Sequence, residues 1–343
     1  TAASGDAVIQ NVGISSGTLV GINNLAGFVG RSNGNLTIKN SYNNAHIKST
    51  GGGTVNLGGL VGFQDSQDTG VNANVLNIID SYNSGMVENT LTARQMGGLV
   101  GVSYGITNIT RSFNGGEVNG PNVRGANYSG GYTVGGLIGY AAFNPIHIED
   151  SYNSGNLTGA SDTYNYGGLI GEFSKLKIGN SSGGDVRGSF ITNSYNSGSI
   201  IEGGIQSANG QLIGWIRHKI GSSSNVTDAS WMTINNSYWT TPTTSIASAI
   251  GSFKSGDIAG NLLATFNDVS VLTPSAFQDS SNLDNWDTDS VWKVNSGGYP
   301  SLRANCESDN CYTRITFTIN DWADLTYGAT VDLSNFLSDS SLF

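Results

Sequence analysis

The chain reads Gly59-Leu60-Val61-Gly62 and then, after a spacer, Ser81-Tyr82-Asn83-Ser84-Gly85, and these two motifs alternate along its length. Further copies of the first motif, the tetrad, begin at Gly27, Gly98, Gly136, Gly168 and, in degenerate form, Gln211. Further copies of the second, the aromatic motif, begin at Ser41, Ser112, Ser151, Ser194 and Ser237. Repetition every 31 to 43 residues indicates a stacked repeat architecture.

Each repeat divides into two parts of unequal regularity. The step from tetrad to aromatic varies from 14 to 26 residues, and the step from aromatic to tetrad from 17 to 24. We predict an all-β fold in which each part forms one turn of a right-handed parallel β-helix. About twelve such turns would make a rod of roughly 55–60 Å. The alternative is a β-propeller with blades of about 40 residues, which the irregular spacing and the lack of a WD-type motif disfavour.

Stacking of the turns would place equivalent residues above one another. One interior column is then predicted from the tetrads, and a second interior column from the aromatic motifs. The first column consists of Phe28, Leu60, Leu99, Leu137, Leu169 and Leu212. The second consists of Tyr42, Tyr82, Phe113, Tyr152, Tyr195 and Tyr238. The asparagine after the aromatic suits a hydrogen-bonded amide ladder, and the glycines suit tight corners.

Composition and charge place limits on fold, partners and domains. The 49 glycines and only 12% charged residues argue against long helices and against disorder. Residues 1–250 hold 13 acids and 11 bases, a balance of −2, whereas residues 251–343 hold 12 acids and 4 bases, a balance of −8. We therefore predict a solenoid over 1–250, an acidic closing segment over 251–304 and a further short β-rich segment over 305–343. The acidic balance predicts no nucleic-acid partner, and the lack of a long apolar run predicts no membrane insertion.

The two motifs resemble the GLUG repeats of large bacterial surface and secreted proteins, over roughly residues 17–304. The tail from Asn285-Trp286-Asp287 to Gly298-Tyr299-Pro300 looks like the tails that close such arrays. From Ile315 the chain resembles the start of an MBG-type β module, which implies further domains of the same longer chain. The resemblance implies an extracellular, cell-surface adhesin or biofilm-matrix protein, with a glycan or a host or matrix protein as partner.

Insertions into the repeats are the best candidates for recognition, because solenoid insertions emerge as loops on a shared face. The insertion from Asn119 to Thr133 carries Asn127, Tyr128 and Tyr132, and the next repeat carries Tyr164 and Tyr166. Stacking would bring these tyrosines into one aromatic strip suited to sugar rings. The alternative is that these side chains only cover the edges of the solenoid.

Two further features are candidate stabilising sites. Cys306 and Cys311 are separated by four residues, which favours a local disulfide over a redox pair and an oxidising compartment; two reduced thiols are the alternative. Asp284, Asp287 and Asp289 carry several of the oxygen ligands that calcium needs, although their spacing does not match a calcium loop. A solvated acidic segment is the alternative there, and no other cofactor is predicted.

The chain is predicted not to be an enzyme. Parallel β-helices also carry polysaccharide lyases and glycosidases, so a carbohydrate-active enzyme is the alternative, and a structural stalk without its own ligand is a second one. Glu149-Asp150 is the one adjacent acid pair of the array, and its second position accepts Asn, Asp and Arg in other repeats, which is typical of a solvated corner. His46, His147 and His218 lie at unrelated points of their repeats and predict neither a zinc site nor a general base.

Overall fold

The computed structural model is nearly all β and forms a parallel β-helix, which confirms the predicted fold class. It describes residues 2–3, 5–51, 55–66, 68, 72–91, 94–120, 132–159, 164–175, 188–202, 208–218, 232–240, 246, 248–255 and 264–303. Four parallel sheets, here numbered 1 to 4, form the walls. The chain visits them in the order 4, 1, 2, 3 in each coil, and crosses sheet 2 in two short strands separated by a bend.

Sheets 1 and 4 contain the strands on either side of the tetrad. The eight strands of sheet 1 are Ala2–Ala3, Val29–Ser32, Val61–Gln64, Val100–Ser103, Ile138–Ala142, Ile170–Lys175, Ile213–His218 and Ile250–Ser255. The six strands of sheet 4 are Leu25–Ala26, Asn56–Gly58, Gln95–Gly97, Tyr132–Gly135, Tyr164–Gly167 and Asn209–Gly210.

Sheets 2 and 3 contain the strands around the aromatic motif. Before the bend, sheet 2 has Ala7–Gln10, Leu36–Lys39, Val75–Ile79, Ile106–Thr110, Ile146–Glu149 and Ser189–Thr192. In the last two coils single long strands, Met232–Thr240 and Ala264–Leu272, continue through the bend. After the bend it has Gly13–Ile14, Tyr42–Asn43, Tyr82–Asn83, Phe113–Asn114, Tyr152–Asn153 and Tyr195–Asn196. Sheet 3 has Thr18–Gly21, His46–Ser49, Val87–Asn89, Val118–Asn119, Leu157–Gly159 and Ile200–Glu202.

The register shows that one whole repeat makes one coil. Val61 pairs with Val29 in the preceding coil and with Val100 in the following one. Tyr82 likewise pairs with Tyr42 and Phe113. The prediction that each half-repeat forms a turn of its own is therefore wrong. Because the two halves are opposite walls of a single coil, the rod has half the predicted number of turns, and its eight-stranded sheet spans roughly 34 Å.

Two separate apolar clusters fill the coils. The larger one lies between sheets 1 and 2 and contains the tetrad leucines Leu60, Leu99, Leu137, Leu169 and Leu212, all fully buried. Phe28, in the first tetrad, is partly buried against it. The smaller one lies between sheets 3 and 4 and contains, among others, Ile47, Leu57, Val87, Met96 and Tyr166. The predicted leucine column therefore lies in the interior of the solenoid.

A ladder of buried asparagine amides runs through the interior near the boundary of the two clusters. The Nδ2 of each of the first four asparagines donates to the Oδ1 of the next coil at 2.8–2.9 Å. Every Nδ2 also donates to the backbone carbonyl two residues later in the chain. The ladder consists of Asn43, Asn83, Asn114, Asn153 and Asn196, all fully buried. Because every amide donates in the same direction, the ladder links five coils through groups that would otherwise be buried without partners.

The serine of each aromatic motif forms a second buried row. The Ser81 Oγ accepts a hydrogen bond from the backbone N–H of Ser41, and the Ser112 Oγ accepts one from that of Ser81. Each Oγ in turn donates to the carbonyl two residues earlier, as Ser81 does to Ile79 at 2.7 Å. The serine thus satisfies the backbone groups that the bend in sheet 2 removes from the sheet ladder.

The tetrad glycines are explained by two close approaches. A Cβ on Gly98 would lie 2.2 Å from the Asn114 Cγ across the same coil and 2.1 Å from the Gly136 carbonyl oxygen. A Cβ on Gly101, the last residue of that tetrad, would lie 2.6 Å from the Leu57 carbonyl oxygen in sheet 4 of the preceding coil. The first glycine therefore makes room for the asparagine ladder, and the second lets sheets 1 and 4 pack closely at their shared corner.

The ladder ends where both motifs change. The tetrad that begins at Gln211 has glutamine in place of its first glycine, and the coil has Trp239 in place of the asparagine. The Gln211 Oε1 accepts from the Asn196 amide at 3.2 Å, and its Nε2 donates to the Ile246 carbonyl at 3.0 Å. The glutamine thus supplies the last acceptor of the ladder, while Trp239 joins the larger apolar cluster.

The solenoid continues past the predicted boundary at residue 250. Ile250–Ser255 extends sheet 1, and Ala264–Leu272 pairs with Met232–Thr240 over eight residues. After Leu272 the chain turns back through two 3₁₀ turns, Ala276–Gln278 and Ser280–Asn282, and ends in a short antiparallel pair, Trp292–Lys293 with Ser301–Leu302. We name residues 273–303 the closing segment. In the described part of the chain, no helix has the length and hydropathy needed to cross a membrane.

Substitution by alanine should have different effects on stability at a crowded glycine of the tetrad, Gly98, and at an open glycine of the following aromatic motif, Gly115. We expect Gly98→Ala to lower the free energy of unfolding by about 3 kcal/mol or more, because its Cβ would overlap backbone and ladder atoms. Gly115→Ala is the matched control, since its nearest contact would be 3.6 Å, and we expect a change within about 0.5 kcal/mol. Chemical denaturation of both variants measures the difference, and equal stabilities would contradict this account of the tetrad.

Interruption of the amide ladder has its own expected cost. Asn114→Ala removes the acceptor of the Asn83 amide and the donor to the Asn153 Oδ1, both buried. We expect a loss of about 2–4 kcal/mol in the free energy of unfolding. Asn77→Ala is the control: Asn77 accepts from the Asn108 amide at 2.7 Å, but on the half-buried outer face of sheet 2. A loss there as large as that of Asn114→Ala would show that burial of the ladder is not what matters.

Candidate functional site

The aromatic column lies on the outer surface of sheet 2, not in the interior, so this part of the sequence prediction is wrong. Neighbouring side chains of a strand point to opposite faces, and the asparagine beside each ring takes the inward position. Tyr42, Tyr82, Phe113, Tyr152 and Tyr195 stack nearly parallel, with ring centroids 4.7–5.2 Å apart. The rings therefore present their edges outward, while their faces cover one another.

The closing segment covers the last three rings of this column. Its apolar side chains form a cluster with Tyr152, Tyr195 and Tyr238. The contributing residues of the closing segment are Phe277, Leu283, Trp286, Trp292 and Leu302. Because the segment packs against the side of the solenoid, Tyr195 is almost fully buried. Phe113, at the edge of the cluster, and Tyr82 remain half-buried.

Hydrogen bonds to the solenoid hold the closing segment in position, and three of them are 3.1 Å or shorter. The Trp292 indole donates to the Asp150 Oδ1 at 3.1 Å, and the Trp286 indole donates to the Asn236 carbonyl at 2.8 Å. The Tyr195 hydroxyl donates to the Pro300 carbonyl at 2.6 Å. Burial under the segment raises the pKa of Asp150, and the hydrogen bond from Trp292 partly offsets that rise.

Asp150 belongs to a row of residues with left-handed backbone conformation at the bend of sheet 2. The row consists of Asn11, Asn40, Asp80, Arg111, Asp150, Asn193, Asn236 and Asp268, with φ between 44° and 58°. Asn and Asp tolerate this conformation, but Arg111 does not favour it. Its guanidinium forms two hydrogen bonds with the Asp80 carboxylate, at 2.6 and 3.0 Å, and this pairing raises the pKa of Arg111. The predicted solvated corner is therefore partly covered: Glu149 is exposed, while Asp150 binds Trp292.

A second candidate site lies in a concave corner where sheet 4 meets sheet 1. The outward side chains of the two sheets face each other there, because the tetrad glycines let the strands approach. Sheet 1 contributes Phe63, Val102, Tyr140, Glu172 and Trp215, which are in register in successive coils. Sheet 4 contributes Asn56, Thr133 and Asn165. We name this set the concave corner; most of its side chains are buried although they lie outside the coils.

Glu172 is the chemically unusual member of the concave corner. It is 1% exposed, and burial raises its pKa to about 7. The Arg217 guanidinium and the Asn165 amide favour the charged form and oppose that rise. The Arg217 Nη1 lies 3.8 Å from the Glu172 Oε1, too far for a hydrogen bond, and this Oε1 has no hydrogen-bond partner. Arg217 also lies over the Trp215 ring, 5.1 Å from its centroid.

Buried polar atoms without hydrogen-bond partners recur along the concave corner. Besides the Glu172 Oε1 they include the Thr133 Oγ1 and the Asn56 Oδ1. Burial in the concave corner also raises the pKa of the Tyr140 phenol. Such a concentration of desolvated polar groups is typical of places where a protein stores strain or performs a function.

The predicted tyrosine strip is only partly within the described residues. Asn127 and Tyr128 lie outside them. The backbones of Tyr132 and Tyr164 pair directly in adjacent coils, as stacking of the two repeats requires. Tyr166 is fully buried in the smaller apolar cluster, because strand alternation turns it inward, and it is therefore not available to a ligand. The binding role of the remaining tyrosines stays a prediction.

The remaining predicted sites have different outcomes. The Asp287 carboxylate accepts hydrogen bonds from the Ser290 hydroxyl and from the Ser290 and Asp289 N–H groups in its own turn. The Ser290 hydroxyl and then the Ser290 N–H lower the pKa of Asp287. Among the residues that the structure describes, no three His, Cys, Asp or Glu side chains form a group that could hold a metal ion. Calcium binding near Asp284, Asp287 and Asp289 stays a prediction. Cys306, Cys311 and the MBG-like segment lie outside the described residues and stay predictions.

Two of the histidines have identified neighbours on the outer surface. His46 lies 3.1 Å from the Glu88 carboxylate on sheet 3. His147 stacks on Phe190 and contacts the Asn108 Oδ1 at 2.7 Å, and burial lowers the pKa of His147. Neither lies in the concave corner, and the side chain of His218 is outside the described part. The histidines therefore give no support to a catalytic or zinc site.

Comparison with known protein families places one recognised repeat on one coil. A family model described as the GLUG motif matches residues 130–158. This span contains the tetrad at Gly136 and the aromatic motif at Ser151, and it coincides with the coil from Tyr132 to Gly159. No curated protein and no solved structure matches the chain. The match supports a GLUG repeat in this part of the chain, and the structure shows that this repeat is one coil.

Sequence reasoning missed Glu172, although a signal for it was present. The equivalent position, two residues after the third tetrad residue, holds Arg31, Phe63, Val102 and Tyr140 in the preceding coils and Trp215 and Ser252 in the next two. Glu172 is the one carboxylate of this row and lies between two aromatic residues, which indicates an unusual environment. The concave corner itself gave no such signal, because contact between outward faces of two sheets depends on how the coil bends.

The closing segment yields a prediction at its central tryptophan. Trp292→Ala removes a fully buried ring from between Tyr152 and Tyr195, and we expect a loss of about 3–5 kcal/mol in stability of the closing segment. Hydrogen exchange should then rise across 273–303 while the Asn114 coil stays protected. Asp150→Asn is the control, because its amide oxygen still accepts from the indole and asparagine occupies this left-handed row elsewhere. If hydrogen exchange in residues 273–303 were the same in the two variants, Trp292 would not be what holds the closing segment on the solenoid.

Proposed function

We propose that the chain is a non-enzymatic segment of an extracellular, cell-surface bacterial adhesin. In this proposal the solenoid is a rigid stalk, and its insertions bind glycans or a host or matrix protein. The GLUG match over residues 130–158 and the family resemblance of the other repeats support an extracellular role. The observation that carries the proposal is the placement of the variable segments.

Variation in repeat length is confined to two corners of the coil. Between sheets 1 and 2, the connections from Gln64 to Val75 and from Lys175 to Ser189 are longer than that from Ser103 to Ile106. Between sheets 3 and 4, the connection from Asn119 to Tyr132 is the longest. The paired columns continue unbroken past both corners, so length changes leave the stalk intact. Loops on a rigid scaffold are the usual carriers of recognition.

A second candidate function is a carbohydrate-active enzyme, and Glu172 is the observation that favours it. A carboxyl with a pKa of about 7 is suited to act as a general acid near neutral pH. Hydrolysis of glycosides usually requires a second carboxylate about 5–10 Å away. Among the described residues, the charged partner of Glu172 is the cation Arg217 and not a second carboxylate. The adhesin proposal therefore has the stronger support.

A glycan array with the full 343-residue chain, with and without calcium, tests the proposal. We expect binding that falls about tenfold when Tyr128 and Tyr164 are both replaced by alanine, because stacked tyrosines provide the sugar contact. Ile22→Ala, at an exposed site outside the insertions, is the control and should bind normally.

Each other outcome supports a different function. Binding that the tyrosine pair does not affect would remove the strip and leave an adhesin with another surface. Absence of binding to glycans, host cells and matrix proteins would favour a stalk without a ligand. Release of reducing ends from an arrayed polysaccharide, lost in Glu172→Gln, would favour the enzyme. Glycan binding that requires calcium would support the predicted calcium site near Asp284, Asp287 and Asp289.

A further inference from the structure

Glu172 sits at a junction of three coils and two sheets. On sheet 1 its backbone pairs with Tyr140 in the preceding coil and with Trp215 in the following one. Across the concave corner it faces Asn165 of sheet 4, in its own coil. Phe173, the next residue on the strand, points into the larger apolar cluster, so the carboxyl group is directed outward into the corner. A change in the protonation state of this carboxyl group therefore affects the contact between sheets 4 and 1.

The groups that face Glu172 compensate its charge poorly. From sheet 1 they are the Arg217 guanidinium and the Tyr140 phenol, and from sheet 4 the Asn165 amide faces it. The charge of Glu172 also acts on the Tyr104 phenol. Arg217 is the one cation whose charge acts on Glu172 among the described residues. The Arg217 Nη1 lies 3.8 Å from the Glu172 Oε1, and the guanidinium is directed over the Trp215 ring. A buried carboxylate needs close, hydrogen-bonded partners to be stable, and one carboxylate oxygen here has none.

We propose that the concave corner at Glu172 is a pH-sensitive clasp between sheets 4 and 1, closed when Glu172 is protonated and loosened when it is ionised. A neutral carboxyl group can remain in this desolvated corner without a counter-charge. An ionised one is stabilised by water, which reaches it only if the corner opens. Sheet 4 is the part that moves in this proposal, because its strands are short and carry the smaller apolar cluster.

The direction of the pH effect follows from the pKa values of Glu172 in the two states. Burial raises the pKa from its usual value of 4.5 to about 7 in the folded chain. Between these values the folded chain holds a proton that the unfolded or opened chain has released. The stability of the clasp is therefore greatest at low pH, falls as the pH rises from about 4.5 to 7, and changes little above that.

The clasp adds regulation to the proposed adhesin without depending on its ligand. Asn165 lies on the strand Tyr164–Gly167, which pairs with the strand Tyr132–Gly135 that follows the insertion after Asn119. Loosening of sheet 4 in these coils would alter how this insertion is held. Binding by the insertions would then be strongest in mildly acidic surroundings and weaker above neutral pH.

Hydrogen exchange between pH 5.5 and 8, corrected for the intrinsic rate, tests the clasp. We expect the opening equilibrium of the amides of Tyr166 and Gly168, in the coil of Glu172, to increase by roughly tenfold or more over this range. Amides around Leu60, far along the rod, should show no such change. Glu172→Gln keeps the shape and removes the titration, so its exchange should be independent of pH. Glu88→Gln, a carboxylate of sheet 3 beside Lys48, is the matched control and should behave as the unmodified chain.

A second variant keeps the proposal falsifiable if Glu172→Gln does not fold. Arg217→Gln removes the cation that favours ionisation, and the midpoint of opening should move to higher pH. A carbon-13 NMR titration of the Glu172 carboxyl in the unmodified chain should give a midpoint near 7. The proposal is wrong if opening is independent of pH in the unmodified chain, if Glu172→Gln retains the pH dependence, or if Glu172 titrates near 4.5. None of these results bears on whether the insertions bind a glycan.

Discussion

The structure depends on the contact between the asparagine ladder and the first glycine of each tetrad. The asparagine side chain needs a neighbour without a Cβ across the coil, and its amide needs an identical amide above and below. These two requirements connect the tetrad and the aromatic motif, which lie far apart in sequence but face each other in space. Where the pair changes together, to Gln211 and Trp239, the ladder ends with its last acceptor satisfied.

The ladder leaves the rest of the coil free to vary. Its hydrogen bonds and the serine row hold each coil on the next, so added residues are accommodated at two corners without a change of register. The same alternation that turns the asparagines inward turns the aromatic rings outward. The rings therefore form a stacked outer column, and the closing segment packs on the last three of them. The protein thus uses one three-residue motif to build its interior and to hold its closing segment.

The concave corner results from the second glycine of the tetrad. Close approach of sheets 4 and 1 buries outward side chains that a convex solenoid would leave in solvent. Most positions of this corner hold apolar or neutral polar groups, which tolerate burial. Glu172 does not, and its raised pKa reflects desolvation by the two sheets more than any single charged neighbour. A group in such a place links the protonation state of the chain to the packing of its walls.

The amino-acid sequence by itself determined the repeat, the parallel β-helix, the buried leucine column and the presence of an asparagine ladder, because each follows from residues that recur at equivalent positions. It did not determine that one repeat makes one coil, that Tyr82 faces outward while Asn83 faces inward, or that Tyr166 is interior. Nor did it reveal the corner around Glu172. These features depend on which walls of the coil face each other, and on the direction of each bend. Local periodicity is the same for either face of a strand, so only the packed coil decides which side chains meet water and which meet one another.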